Sequence, residues 1–198
     1  MNESHLRAGL YLVLGLALLP WGCQTATGGG GGGDGEAVED PLPEYQLGDN
    51  PELDADVAAI TQADNEAVDC FGGTVDFTDE EVLEDLKNGY VTEAGDDVPA
   101  FEVWVDELVP VEQSKRDQIC DTELEQDADL DAALQRIVDA EDRADGCRGE
   151  EATATLDDAL LNVKAAFFGA GRAATDLVDF ATALAAEAEG EADEVCAG

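Results

Sequence analysis

Two kinds of residue in this chain occur in patterns that could do chemistry: five cysteines and a large surplus of carboxylates. Cys23 closes an apolar run, and Cys70, Cys120, Cys147 and Cys196 follow at spacings of 50, 27 and 49 residues. No Cys-x-x-Cys pair occurs, so these spacings indicate neither a zinc ribbon nor a thioredoxin-like dithiol. Four sulfurs are enough for two disulfides, and spacing leaves all three connectivities open. Glu80-Glu81 and Asp157-Asp158 are the carboxylate pairs a hydrolytic mechanism would need, but adjacent residues on a helix do not face one another, and these read as solvated faces. Asp127-Ala128-Asp129-Leu130-Asp131 begins like a calcium loop, yet Ala132 and Val138 stand where an EF-hand requires Gly and Glu. It is read as the acidic start of a helix. The one histidine is His5. A body without imidazole has no Ser-His-Asp triad, Cys-His pair or histidine-bearing zinc site. No catalytic residue, metal ligand or cofactor is therefore assigned.

The amino terminus says where these residues are deployed. Arg7 precedes an apolar core, Ala8 to Leu19, which is about 18 Å long as a helix and too short for a bilayer that needs about 20 residues. Pro20-Trp21-Gly22-Cys23 follows. The stretch resembles the signal peptide and lipobox of bacterial lipoproteins, with Gly22 as the small residue before the cleaved bond and Pro20 and Trp21 departing from the usual Leu and small residue. A conventional secretory signal is the alternative. The resemblance implies cleavage after residue 22, diacylglycerol on Cys23, and an exported protein held to a membrane by lipid. It further implies an outer membrane or cell surface rather than the inner membrane, because Gln24 is not the aspartate associated with inner-membrane retention. A haloarchaeal membrane is the alternative host. Acylation of Cys23 also leaves an even number of thiols for pairing, as an oxidising compartment favours.

Residues 23–50 read as a tether. Gly28 to Gly33 form an unbroken glycine run flanked by acidic, Pro-bearing sequence, which offers no side chains to bury and would reach roughly 30 Å as a flexible chain. No Lys-Ser/Thr follows the glycines, so a phosphate-binding loop is excluded.

Charge bounds the partners. The chain carries 48 acids against 9 bases, a net charge of -39, and removal of residues 1–22 takes away one of each, Glu3 and Arg7. Such a surface repels nucleic acid and anionic headgroups. Either the acids are an adaptation to high salt, where the screening length falls to about 3 Å at 1 M, or they bind cations. Their spread along the whole body favours the first.

The elements that position all this are helices. Asn50-Pro51 starts one running to Cys70, with Phe71-Gly72-Gly73 as its stop. Thr78 and Glu81 have capping-box spacing and start a second, ended by Asn88-Gly89. Pro99 to Val109 alternates at Phe101, Val103 and Val105 as a strand would, while Phe101, Trp104, Val105 and Leu108 fit helical spacing; it is read as a helix, with Trp104 in the core and Pro110 as terminator, and a polar stretch carries Cys120. Leu130, Leu134, Ile137 and Val138 give another face, ending near Gly146-Cys147. Leu156, Leu160, Val163, Phe167, Ala170, Ala174, Leu177, Ala181 and Leu184 form an unbroken seven-residue repeat, which predicts one helix of about 35 residues from Thr153 to Glu187, continuous or kinked at Gly169 and Gly171.

The expected architecture is all-α: a bundle of four or five helices in one domain, residues 51–198, with a long C-terminal helix and two disulfides. The expected function is that of a membrane-anchored envelope lipoprotein whose helical domain is structural or binds another envelope protein, without enzymatic activity. An acidic module for cations or cationic ligands and a carboxylate-based enzyme are the alternatives.

Overall fold

A computed structural model describes residues 44–93 and 99–198. The signal, Cys23 and the glycine tract lie outside the described residues. Those described form six α-helices and one 3₁₀ turn: α1 Pro51–Cys70, α2 Asp79–Glu93, α3 Phe101–Asp121, α4 Ala128–Arg148, α5 Leu156–Gly169, the 3₁₀ turn Gly171–Ala173, and α6 Leu177–Ala197. The protein is all-helical among these residues, and its sulfurs pair as Cys70–Cys120 and Cys147–Cys196.

The six helices are two copies of one plan. In the first unit α1 and α3 run parallel, since Glu52 and Asp56 share a groove with Glu102 and Asp106 at one end while Cys70 is bonded to Cys120 at the other. Helix α2 returns between them, and its Tyr90 ring meets Phe101 and Trp104 at the start of α3. The second unit repeats this with α4, α5 and α6: Arg136 pairs with Glu189, Arg143 with Asp193, and Cys147 with Cys196. Equivalent residues in α1 and α4 lie 77 positions apart (147 less 70, for instance). Leu53, Ile60, Ala63, Ala67 and Cys70 match Leu130, Ile137, Ala140, Ala144 and Cys147, and all but the cysteines are buried in both copies.

The repeat extends to hydrogen bonds. Asn50 and Asp127 cap α1 and α4 by accepting from the second and third backbone N–H groups that follow them. Thr78 and Thr155 cap α2 and α5 with Glu81 and Asp158 as reciprocal partners. Gly48 and Glu125 both have positive φ, and each donates its N–H to an aspartate of the first helical turn, Asp54 and Asp131. Lys87 donates to the Tyr45 carbonyl and Lys164 to the Thr122 carbonyl, the same bond in both units. Lys164 is buried and Lys87 half-buried, positions rare for lysine because desolvating an ammonium is costly. Here each ties the middle helix of its unit to the strap preceding the first.

Three expectations about helix ends are corrected. Helix α2 continues through Asn88-Gly89, where the buried glycine admits the Arg172 side chain: a Cβ on Gly89 would lie 2.6 Å from Arg172 Nη1. Helix α3 continues through Pro110, which is exposed, so the carbonyl that loses its donor is on the solvent side. That residue costs about 3 kcal/mol in a helix interior, part of which its stiffness returns through the unfolded chain. Pro110→Ala should therefore raise stability by about 1–2 kcal/mol in urea melts.

The predicted 35-residue helix is two helices. Gly171 has φ +55, a left-handed conformation suited to glycine, and Asp176 caps a fresh start at Leu177. The seven-residue phase survives because α5 and α6 turn their apolar faces to one core, which joins Leu160, Val163 and Phe167 to Leu177 and Ala181. Six helices replace the four or five expected. The tether is also shorter than its expected span to residue 50: Tyr45 and Leu47 pack against Phe101 and its neighbours.

Candidate functional site

The acids singled out by sequence are engaged in the fold. Glu81 accepts from the Thr78 backbone N–H at 2.9 Å, and this bond, followed by the Thr78 side chain, holds its carboxyl below the usual glutamate range. Asp158 accepts from the Thr155 hydroxyl at 2.6 Å. Asp127 accepts from the N–H groups of Asp129 and Leu130 at 2.9 and 3.1 Å. Their partners Glu80 and Asp157 are exposed, and the structure does not bring the two pairs together.

Bases, which the sequence has few of, prove more informative. Each of the eight in the described residues makes a specific contact. Arg116 pairs with Glu66 and Asp117, Arg136 with Glu189, Arg143 with Asp193, Arg148 with Asp145 and Arg172 with Glu112, while the three lysines donate to backbone carbonyls.

Two of these bases join the units. Lys115, 5% exposed, leaves α3 and donates to the carbonyls of Phe168 and Gly171 at the end of α5, with its ammonium 4.8 Å from the Phe167 ring centroid. Arg172 reaches the other way. Its guanidinium lies 4.4 Å from the Trp104 ring centroid and its Nε stands 3.8 Å from Glu112 Oε1. Gln118 adds a third bridge, donating to the Thr175 carbonyl at 3.0 Å and accepting from the Leu177 N–H at 2.9 Å. The backbone groups freed by the break between α5 and α6 are thus satisfied from α3, which is what makes the break tolerable.

Asp64 completes this layer. It lies on α1 between Ile60, in the apolar core of the first unit, and Ala67, in the core shared with the second. Burial, then the nearby Glu112 and Asp85, push its carboxyl up to about 7, against the opposing pull of Lys115 and Arg172. Burial likewise lowers the Lys115 ammonium from its ordinary value, with Glu112 and Asp64 resisting. A polar layer of Asp64, Glu112, Lys115 and Arg172 therefore separates two apolar clusters. Sequence reading missed it, although lysine scarcity was a usable signal: in a chain with 48 acids and three lysines, each lysine has a task in the fold.

The equivalent positions of the second unit do not repeat this joint. Phe71, Lys115 and Gln118 correspond to Arg148, Glu191 and Glu194. Two shallow depressions lie elsewhere, one beside the Cys70–Cys120 bond with Glu66, Asp69 and Asp121 on its rim, the other between the amino-terminal ends of α1 and α3. In the latter, burial and then Asp106 and Glu52 raise the Asp56 carboxyl above its ordinary range.

No protein-family model, curated protein or solved structure matches this chain.

Proposed function

We propose that the protein is an exported lipoprotein, anchored through diacylglycerol on Cys23, whose two-unit helical body serves the cell envelope as a non-enzymatic structural or protein-binding element. The observation that carries this reading is the sulfur count. Five cysteines are present and four of them form two disulfides within the body, so acylation accounts for the remaining one, Cys23, at the end of an apolar leader. Disulfides belong to oxidising compartments, which agrees with export.

The charge pattern supports the second half of the reading. All eight bases of the described residues contact acids or carbonyls of the chain itself, so the outer surface is left to carboxylates and favours neutral or cationic protein surfaces over nucleic acid and anionic lipid. The outer membrane or cell surface is the proposed destination.

Fractionation with metabolic lipid labelling tests the anchor. The wild-type chain should label and sediment with membranes, whereas Cys23→Ser should lose the label and appear in the soluble fraction. An unlabelled wild-type chain, or membrane association unaltered in Cys23→Ser, would refute it.

A further inference from the structure

From Ala159 to Thr175 the chain carries no acid, although 48 of its 198 residues are Asp or Glu. Other acid-free runs of the body, such as those between Asp56 and Asp64 or Asp131 and Asp139, are less than half as long. Burial explains only part of this. Ala159, Leu160, Val163, Lys164 and Phe167 are buried. Leu161, by contrast, is 45% exposed, Asn162 and Ala165 are half-buried, and Gly169 is exposed with nothing within 4 Å of an added Cβ. Leu161, Ala165 and Gly169 stand at i, i+4 and i+8, so they line one outward side of α5.

The first unit supplies the comparison. At the corresponding places in α2, 77 positions earlier (161 less 84), stand Glu84, Asp85, Asn88 and Thr92, all exposed. The same side of the same helix is therefore solvated by polar and acidic groups in one unit and left uncharged in the other, on a chain whose net charge is -39.

We propose that this outer face of α5 docks an amphipathic helix of another protein, one whose apolar stripe is flanked by lysines or arginines. Charge selects this occupant. Asp157 and Asp158, both exposed, precede Leu161 by four and three residues and so lie on its side of the helix. Cationic flanks complement these acids while the apolar stripe covers Leu161 and Ala165, and small residues at Ala165 and Gly169 let the incoming helix come near. A second copy of the chain would bring its own Asp157 and Asp158, and the same net charge, against them. The inference deepens the protein-binding reading of the body and rests on it, but it is independent of the lipid on Cys23.

The probe is a labelled synthetic helix with leucines at i, i+3, i+4 and i+7 and lysines at the flanking positions. It is titrated by fluorescence anisotropy into the full chain in phosphatidylcholine nanodiscs, with empty discs as the blank, or in buffer if the chain carries no lipid. The expected result is saturable binding that persists in about 1 M salt, where a screening length of about 3 Å removes nonspecific attraction to the acids. The triple variant Leu161→Glu, Asn162→Asp, Ala165→Asn gives α5 the face that α2 already presents, with circular dichroism as the folding control. It should weaken binding by about tenfold or more, even though it makes the chain more negative. Leu161→Glu alone should act in the same direction. Binding that is absent, that vanishes in salt, or that is as strong in both variants as in the wild type would overturn the proposal. So would dimerisation of the wild-type chain in sedimentation equilibrium that the triple variant abolishes, which would assign the face to a second copy. Lipid labelling at Cys23 should be unaltered in both variants, so failure of the docking face and failure of the anchor are read separately.

Discussion

Replacing Cys70 and Cys120 together by serine should lower the stability of the body by about 4 kcal/mol, the chain-entropy value for a closed loop of some fifty residues. The pair Cys147 and Cys196 closes a loop of nearly the same length and should cost about as much. The two losses will differ in kind. Around Cys70–Cys120 the helices are also held by the Arg116–Glu66 ion pair and by the buried Ile119. At the other bond the Arg143–Asp193 ion pair is the more exposed of the two, and the packing is Ala140, Ala144 and Ala192, with half-buried Ala188 and Val195 beside them. Alanines bury little area, so without Cys147–Cys196 the last turns of α4 and α6 should part. Urea melts of the two double variants, with limited proteolysis after residue 185, check this: the global losses should be similar, and early cleavage in α6 should be confined to the second variant. Destabilisation under about 1 kcal/mol in both would mean that the bonds constrain the chain far less than their loops require.

Truncating Phe167 should be comparably damaging. The ring is 0% exposed, contacts Phe180 at 5.5 Å between centroids, and lies under the Lys115 ammonium. Phe167→Ala removes most of a buried ring from the junction of both units, for which about 3–5 kcal/mol is expected. The cavity would also take away the surface over which the Lys115 charge is buried, so the loss should lie at the upper end. Phe167→Leu should recover most of it, and thermal melts of the two variants give the comparison. By contrast, Gly190→Ala in α6, where an added Cβ meets nothing within 4 Å, should stabilise by about 1 kcal/mol.

How far the fold could be read from the sequence depended on what each residue contacts. Three helix starts were legible, because Asn50, Thr78 and Asp127 satisfy backbone donors within one turn of themselves, whereas Thr155 caps two residues past the expected start at Thr153 and the Asp176 cap went unread. Helix ends were less so. Asn88-Gly89 and Pro110 are breakers by local propensity, and tertiary packing overrides both. The break at Gly171 is the opposite case, a periodic run interrupted because Lys115 and Gln118 on a distant helix satisfy the exposed turn.

The duplication was nearly on view. Cysteine spacings of 50 and 49 are its trace, and an alignment of Asn50-x-x-Leu53 with Asp127-x-x-Leu130 would have predicted the split of the long helix, since its first-unit counterpart is two helices, α2 and α3. It was hidden because many buried positions keep apolar character without identity, as Val57 against Leu134 and Leu86 against Val163, and exposed ones diverge further, as Ala58 against Gln135. The polar layer was illegible for a related reason: Asp64, Glu112, Lys115 and Arg172 come from two helices and a turn, and no local pattern marks them.

The central claim is that one cysteine carries lipid while the other four form two bonds within the body. Intact-mass and peptide mass spectrometry of the native protein extracted from membranes tests it directly. The account predicts an amino-terminal Cys23 bearing diacylglycerol, with Cys70 linked to Cys120 and Cys147 to Cys196. A chain that still begins at Met1, or one with a free thiol at Cys23, would contradict it.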